Sequence, residues 1–220
     1  TFALAPSGRA WNVEALSTPP SPDIDYGDTE PMTALSTPDS MTIETLVSQA
    51  NALHPRAEGR EWSACDTLKN LLIAVKHPED GDHDKPWRQI VAIGVPGDRQ
   101  VDMKRLEAQF TPCEIEEATE EDLRSHPEFV KGYIGPMVLG PQARRDDSIA
   151  DPVQYLLDAH VTRGSEWVTG ADRSGFHVFH AVFGRDFEAD GTVEAVGVRQ
   201  GDMGWPLSTS DAADAEDRVG

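Results

Sequence analysis

The sequence is poor in cysteine, in positive charge and in long apolar runs. Cys65 and Cys113 are its two cysteines. That is too few for a disulfide-dense scaffold, and the CxxC spacing of a zinc site is missing. They read as two separate thiols of a reducing, cytoplasmic compartment. Lys and Arg total 19 against 39 Asp and Glu, a formal net charge of -20. A chain this acidic lacks the basic face of an autonomous nucleic-acid binder and is not attracted to anionic membranes. No run approaches the ~18 apolar residues that span a bilayer. A basic stretch followed by an apolar one, as in a secretory signal, is also missing. Thr1 stands where an initiator Met would, which reads as a segment excised from a longer protein. The GxSxG, P-loop and GxGxxG patterns do not occur. Ser-His-Asp sets carry no information in a chain with 7 His.

What is present suits one core with extensions: 220 residues, 38% of them hydrophobic. Residues 1–35 hold Ser17-Thr18-Pro19-Pro20-Ser21-Pro22 and then an acidic run, and read as an extended arm or linker. Residues 205–220 read as an acidic flexible tail. Residues 36–204 are the expected folded unit. Within it, Ile43, Leu46, Val47 and Ala50 recur at helical spacing behind a Ser40 or Thr42 cap. Leu68–Val75 reads as a strand, Lys76–Lys85 as a charged loop, and Trp87–Val95 as the hairpin partner. Asp102–Phe110 and Thr119–His126 read as helices, the second opening on a capping box of Thr119 with Asp122. Strand-like runs return at Val153–Leu157, Phe176–Phe183 and Thr192–Val198. Hairpins together with helical crossovers predict an α/β fold with a mixed sheet.

Few residues stand out chemically. His77, Asp80, Asp82, His83 and Asp84 crowd into one loop, but their spacing fits neither an EF-hand nor HExxH, so no metal is expected. Gly132-Tyr133-Ile134-Gly135-Pro136 is a turn whose glycines let the backbone approach a ligand and whose Pro136 fixes the exit; an ordinary tight turn has the same composition. Lys69 interrupts an apolar strand. It either faces solvent or serves in a cleft as a donor to a phosphate or hydroxyl. In Phe176–His180, alternation turns either Phe176 or His177 inward, as a core residue or as part of a site.

Taken in order, these segments resemble the insertion (editing) domain of bacterial prolyl-tRNA synthetases and the freestanding YbaK-like deacylases. The likeness rests on Ser36-Thr37-Pro38 leading to Ile43-Glu44-Thr45-Leu46, on Leu68-Lys69-Asn70-Leu71-Leu72, and on Ala118–Leu123. It continues through Gly132–Pro136, Asp158, Gly170-Ala171, His177 and Gly184-Arg185-Asp186. Trp11-Asn12-Val13-Glu14 is similar to the segment that precedes the insertion in whole synthetases. Four departures stand out: a longer stretch between Leu46 and Lys69, Ala159 in place of Arg, Asp172 in place of Asn, and Val182-Phe183 in place of Asn-Trp. No class II aminoacylation motif is recognisable, so charging of tRNA is not expected.

The resemblance implies a mixed, mainly antiparallel, barrel-like sheet flanked by helices. It also implies hydrolysis of mischarged aminoacyl-tRNA, in the first instance alanyl-tRNA(Pro), without a cofactor. The implied partners are the aminoacylated 3′ end of tRNA(Pro) and the synthetase's catalytic domain. A deacylase of different specificity and a non-catalytic structural insertion remain open. By resemblance, Lys69 holds a phosphate or ribose of the terminal adenosine, and Gly132 and Gly135 turn backbone N–H groups toward the aminoacyl group. Thr37, Ile43, Leu46 and His177 line a small side-chain pocket. Asp158 orients polar groups, and Pro136, Gly170 and Ala171 complete the surround. Lys69, Gly135 and His177 are the catalytic candidates. With no protein nucleophile in view, water is the expected attacking group.

Overall fold

The computed structural model describes residues 2–4, 10–12, 16–18, 22–56, 59–79, 84–199 and 205–206. The chain begins with short strands β1 (Phe2–Leu4), β2 (Ala10–Asn12), β3 (Leu16–Ser17) and β4 (Thr33–Ser36), then helix α1 (Ile43–Leu53). β5 (Leu68–His77) and β6 (Trp87–Pro96) follow, then α2 (Met103–Gln109), β7 (Glu114–Glu117), α3 (Glu120–Ser125) and α4 (Gly140–Ala143). The remaining strands are β8 (Gln154–Asp158), β9 (Glu166–Gly170), β10 (Phe176–Val182), β11 (Gly191–Val193) and β12 (Trp205–Pro206). The expected tail beyond Pro206 lies outside the described residues, as do Asp80, Gly81, Asp82 and His83 of the charged loop.

The expected α/β class with a mixed sheet is what the chain forms. A five-stranded sheet has the order β11-β8-β6-β5-β7, and a three-stranded sheet the order β4-β10-β9. In the larger sheet β5 pairs antiparallel with β6 and β7, while β8 runs parallel to β6 and β11 parallel to β8. The smaller sheet is antiparallel. The two sheets stay separate rather than closing into a barrel, and a parallel bridge joins Thr67, just before β5, to Val168 of β9.

The hairpin is longer than the pattern predicted. Lys76 and His77 pair with Arg88 and Trp87 instead of starting a loop. An ion pair of 2.6 Å from Lys76 to Glu116 fastens that end to β7. β6 is central: Val91, Ala92, Ile93 and Val95 are all completely buried. A strand covered on both faces reads as a continuous apolar run rather than an alternation. The segment read as an arm contributes strands of its own. β4 pairs with β10, and β3 pairs antiparallel with β12. Arg105 on α2 is 2% exposed and reaches both limbs, donating to Glu194 Oε2 at 2.5 Å and to Thr18 Oγ1 at 3.2 Å.

Helix α1 starts as expected. The Thr42 side chain accepts from the Thr45 N–H at 3.2 Å, and Thr45 Oγ1 accepts from the Thr42 N–H at 3.1 Å. These bonds satisfy donors that a helix start otherwise leaves bare. Leu46 and Ala50 then face Trp62, Val168 and Phe179, which fixes α1 against the smaller sheet. Thr119 and Asp122 form the anticipated capping box at the start of α3.

Candidate active site

Where β5, α1 and the segment 132–136 meet, the fold leaves a cavity of roughly 330 Å³. One wall is regular structure: Ile43 and Leu46 of α1 with the approach residues Ser40, Met41 and Thr42, and Leu68, Lys69, Asn70 and Leu71 of β5. The other wall is irregular, made of Gly132 and Ile134 together with Gly170 from the end of β9 and His177 from β10. Six residues singled out in the sequence therefore converge: Ile43, Leu46, Lys69, Gly132, Gly170 and His177.

Each polar group has an identifiable support. His177 is 3% exposed, and its Nδ1 shares a 2.7 Å hydrogen bond with Thr37 Oγ1. Thr37 is thus behind the imidazole rather than in the lining. Burial pushes the His177 pKa down to about 4, so the ring is neutral at physiological pH. Its Nε2 has no hydrogen-bond partner among the described residues. Lys69 donates Nζ to the Arg99 carbonyl. Burial lowers its pKa, with Asp98 acting against that and Arg199 adding to it. The ammonium is half-buried and tethered to the Arg99 carbonyl, while Lys69 as a residue borders the cavity.

The glycine segment is held from two directions. Asn70 donates Nδ2 to the Ile134 carbonyl at 2.9 Å and to Thr169 Oγ1 at 3.2 Å, and its Oδ1 accepts from the Tyr155 hydroxyl at 2.7 Å. From the opposite side the Asp172 N–H donates to the Tyr133 carbonyl at 2.9 Å. Asp172 Oδ1 accepts from the Gly135 N–H at 2.5 Å. Gly132 has φ +83°, and a Cβ there would come within 2.9 Å of Met41. A Cβ on Gly135 would lie 2.0 Å from the Gly170 carbonyl oxygen, so glycine is required at 132 by conformation and at 135 by contact.

This geometry corrects several assignments. Gly135 does not line the cavity, and its N–H is committed to Asp172, so it is not a donor to a bound acyl group. Pro136 is buried behind the segment as the first residue of a short 3₁₀ turn, and Ala171 packs against the main core. Asp158 is 1% exposed and lies outside the cavity. Its Oδ2 accepts from the Ala195 and Val196 N–H groups at 2.7 and 3.0 Å, and its Oδ1 pairs with His160 at 2.7 Å. Its role is to anchor the segment after β11. Among the described residues, the Gly132 and Ile134 N–H groups are uncommitted and belong to residues that border the cavity, as are those of Ser40, Met41 and Ile43 at the approach to α1.

Two residues with structural roles at the site were not singled out in the sequence. Asn70 was legible as an amide inside an apolar strand. Asp172 was visible as a departure from the Asn of similar sequences. It is a desolvated carboxylate whose pKa is pushed up to about 7 by burial, against the stabilising backbone donors of Gly135 and Met137. Its Oδ2 is buried without a hydrogen-bond partner.

Comparison with known proteins identifies the family. A profile of the aminoacyl-tRNA editing domain matches residues 37–187. The chain belongs to the aminoacyl-tRNA editing domain family. It is 63% identical over 203 residues to the proline–tRNA ligase of Bifidobacterium longum, a match covering 92% of this chain and 34% of the ligase. To the ligase of Kineococcus radiotolerans it is 47% identical over 202 residues, covering 92% of this chain and 32% of that one. The chain thus spans about a third of the length of these relatives. Among solved structures, hypothetical protein APE2540 aligns with a TM-score of 0.47 at 12% identity, over 76% of this chain and 91% of that one. No described helix of this editing-family chain is long and apolar enough to cross a membrane.

Proposed function

We propose that this editing-family domain hydrolyses the ester bond of mischarged aminoacyl-tRNA, with alanyl-tRNA(Pro) as the preferred substrate. It would do so as a cytoplasmic proofreading module working with the catalytic domain of a prolyl-tRNA synthetase. The observation that carries this reading is the convergence of Lys69, His177, and the uncommitted Gly132 and Ile134 N–H groups on one cavity bordered by Ile43 and Leu46. The 63% identity to a proline–tRNA ligase supports the choice of tRNA.

A proline-activating site cannot strongly exclude the smaller alanine, so a second, narrower site that destroys the product restores accuracy. In this reading Lys69 meets a phosphate or ribose oxygen of the terminal adenosine. The neutral His177 presents Nε2 to the aminoacyl end without adding a second positive charge beside the substrate ammonium. Water adds to the ester carbonyl carbon. The negative charge that develops on the carbonyl oxygen is met by the Gly132 and Ile134 N–H groups, fixed dipoles needing no reorganisation during the reaction. Collapse breaks the bond to the ribose oxygen, which takes up a proton, releasing alanine and tRNA with a free 3′ end. The apolar residues Ile43 and Leu46 limit the size of the side chain admitted. The large negative charge is tolerable because the module handles only the acylated end, while other domains hold the tRNA body.

The test is single-turnover deacylation of alanyl-tRNA(Pro) and prolyl-tRNA(Pro), with and without the host synthetase. Alanyl-tRNA(Pro) should be hydrolysed and prolyl-tRNA(Pro) spared. Lys69→Ala should slow the reaction by ~10²-fold, the loss of one charge-assisted contact of about 1.5–3 kcal/mol. Hydrolysis of a different small aminoacyl ester in preference would keep the chemistry and change the specificity. No hydrolysis in any arm would leave a structural insertion.

A further inference from the structure

A second cluster of reactive side chains lies at the far end of the β5–β6 hairpin and has no part in the cavity. His77 and Trp87 are directly opposite one another in the register. Their rings stack with centroids 3.8 Å apart and planes within 4°. That stack fixes the imidazole plane. In it, Nε2 meets Gln89 Oε1 at 3.2 Å and Nδ1 meets Cys113 Sγ at 3.3 Å. An amide oxygen only accepts, so the bond to Gln89 requires the proton on Nε2. The neutral ring then turns its Nδ1 lone pair toward the thiol. A nucleophile, a base beside it and a third group orienting the base are the parts of an activated thiol. Cys113 keeps partial exposure in the turn between α2 and β7, where its N–H donates to the Phe110 carbonyl at 2.7 Å. The other thiol, Cys65, is more exposed and contacts the Ser63 hydroxyl at 3.2 Å. His77 lies eight residues along β5 from Lys69, about 26 Å at the rise of a strand.

We propose that Cys113 is a modification site that takes small disulfides by thiol–disulfide exchange, with His77 as its base and Gln89 holding the base in the required tautomer. The Cys113 proton passes to His77 Nδ1. The thiolate attacks one sulfur of the incoming disulfide, forming a new S–S bond as the old one breaks. The departing thiolate takes the proton back from the imidazolium. Cys113 is oxidised and the departing sulfur reduced, so the disulfide is the only oxidant required, and excess thiol reverses the step.

Dipyridyl disulfide is a suitable probe because it is small and uncharged, whereas an anionic reagent would be repelled by a chain of net charge -20. Thione release is followed at pH 7 for Cys65→Ser, which retains Cys113, and for Cys113→Ser, which retains Cys65. Cys113 should react about tenfold faster than Cys65 despite its lower exposure. In the Cys65→Ser background, His77→Gln and separately Gln89→Leu should each reduce that rate, His77→Gln by about tenfold. Gln89→Leu keeps the ring stack, so it reports on the hydrogen bond if His77→Gln disturbs the hairpin. Mass spectrometry after bis(2-hydroxyethyl) disulfide, which is also small and uncharged, should find the adduct on Cys113 and its loss with dithiothreitol. A Cys113 rate at or below that of Cys65, or one unchanged by both substitutions, would overturn the proposal.

Discussion

The two walls of the cavity are built on different principles. The wall of α1 and β5 is held by apolar burial: Leu46 and Leu68 are 3% and 2% exposed and belong to hydrophobic clusters. The facing wall, Gly132 to Gly135 against Gly170, has no side-chain filling where the backbones touch, and its position depends on Asn70 and Asp172. A wall of packed side chains can relax when trimmed. One in which backbone meets backbone has no flexible atom to yield. The first therefore sets the size of the cavity, and the second sets the direction of its N–H groups.

Substitutions can separate these contributions. The largest expected loss of stability is for Leu46→Ala, about 2–5 kcal/mol, because Leu46 is core as well as lining. Urea unfolding measures that loss, and deacylation of prolyl-tRNA(Pro) measures whether the larger cavity admits the wrong acyl group. An undiminished midpoint would show that α1 does not hold this wall. Gly135→Ala should cost about 3 kcal/mol, since its new methyl meets the Gly170 carbonyl rather than a movable side chain. It should also depress the deacylation rate on every substrate alike, unlike Leu46→Ala, which should alter selectivity.

The polar supports make a prediction about pH. Asp172 has a pKa raised to about 7, so between its unfolded value near 3.8 and pH 7 the folded chain holds a proton that the unfolded chain lacks. Its contribution is greatest at low pH and is lost as pH rises toward 7 and beyond. His177 behaves oppositely. Its pKa is depressed to about 4 from 6.5, so the unfolded chain takes up the proton first and stability is lost as pH falls through that interval. The two slopes oppose one another between about pH 4 and 6.5, flattening the profile there. Asp172→Asn keeps an acceptor for the Gly135 N–H but removes the titration. Its stability should fall as pH drops from 6.5 to 5 and should exceed that of the parent at pH 8, each difference on the order of 2 kcal/mol. Thermal unfolding across that range checks both signs; parallel curves for parent and variant would exclude Asp172 as a titrating support. The smallest effect is expected from Thr42→Ala, about 1 kcal/mol, the loss of the α1 cap with little change in deacylation.

The same contrast explains what could be read in the sequence. The regular wall was legible: the spacing of Ile43, Leu46 and Ala50 gave α1, and the apolar runs gave β5 and β6 because burial imposes those patterns. β7 was not, since Glu-Ile-Glu-Glu carries one apolar residue in four positions and takes its place by pairing with β5. β9 escaped for a related reason: it is short, begins with a charged residue and ends in glycine. β4 lay in a stretch dominated by Pro, Ser and Thr. At the cavity, residue types that rarely interrupt strands, Lys69 and His177, drew attention and do converge there. Asp158 drew attention equally, but a buried carboxylate accepting backbone N–H groups looks the same in sequence as one facing a ligand. The commitment of the Gly135 N–H to a side chain 37 positions away was beyond any local pattern.

The pairing of β3 with β12 has a mechanical meaning. Neighbouring strands lie about 5 Å apart, so Leu16–Ser17 and Trp205–Pro206, which flank the folded unit in sequence, are held side by side. Arg105 adds a second tie between the two regions by gripping Thr18, just after β3, and Glu194, ahead of β12.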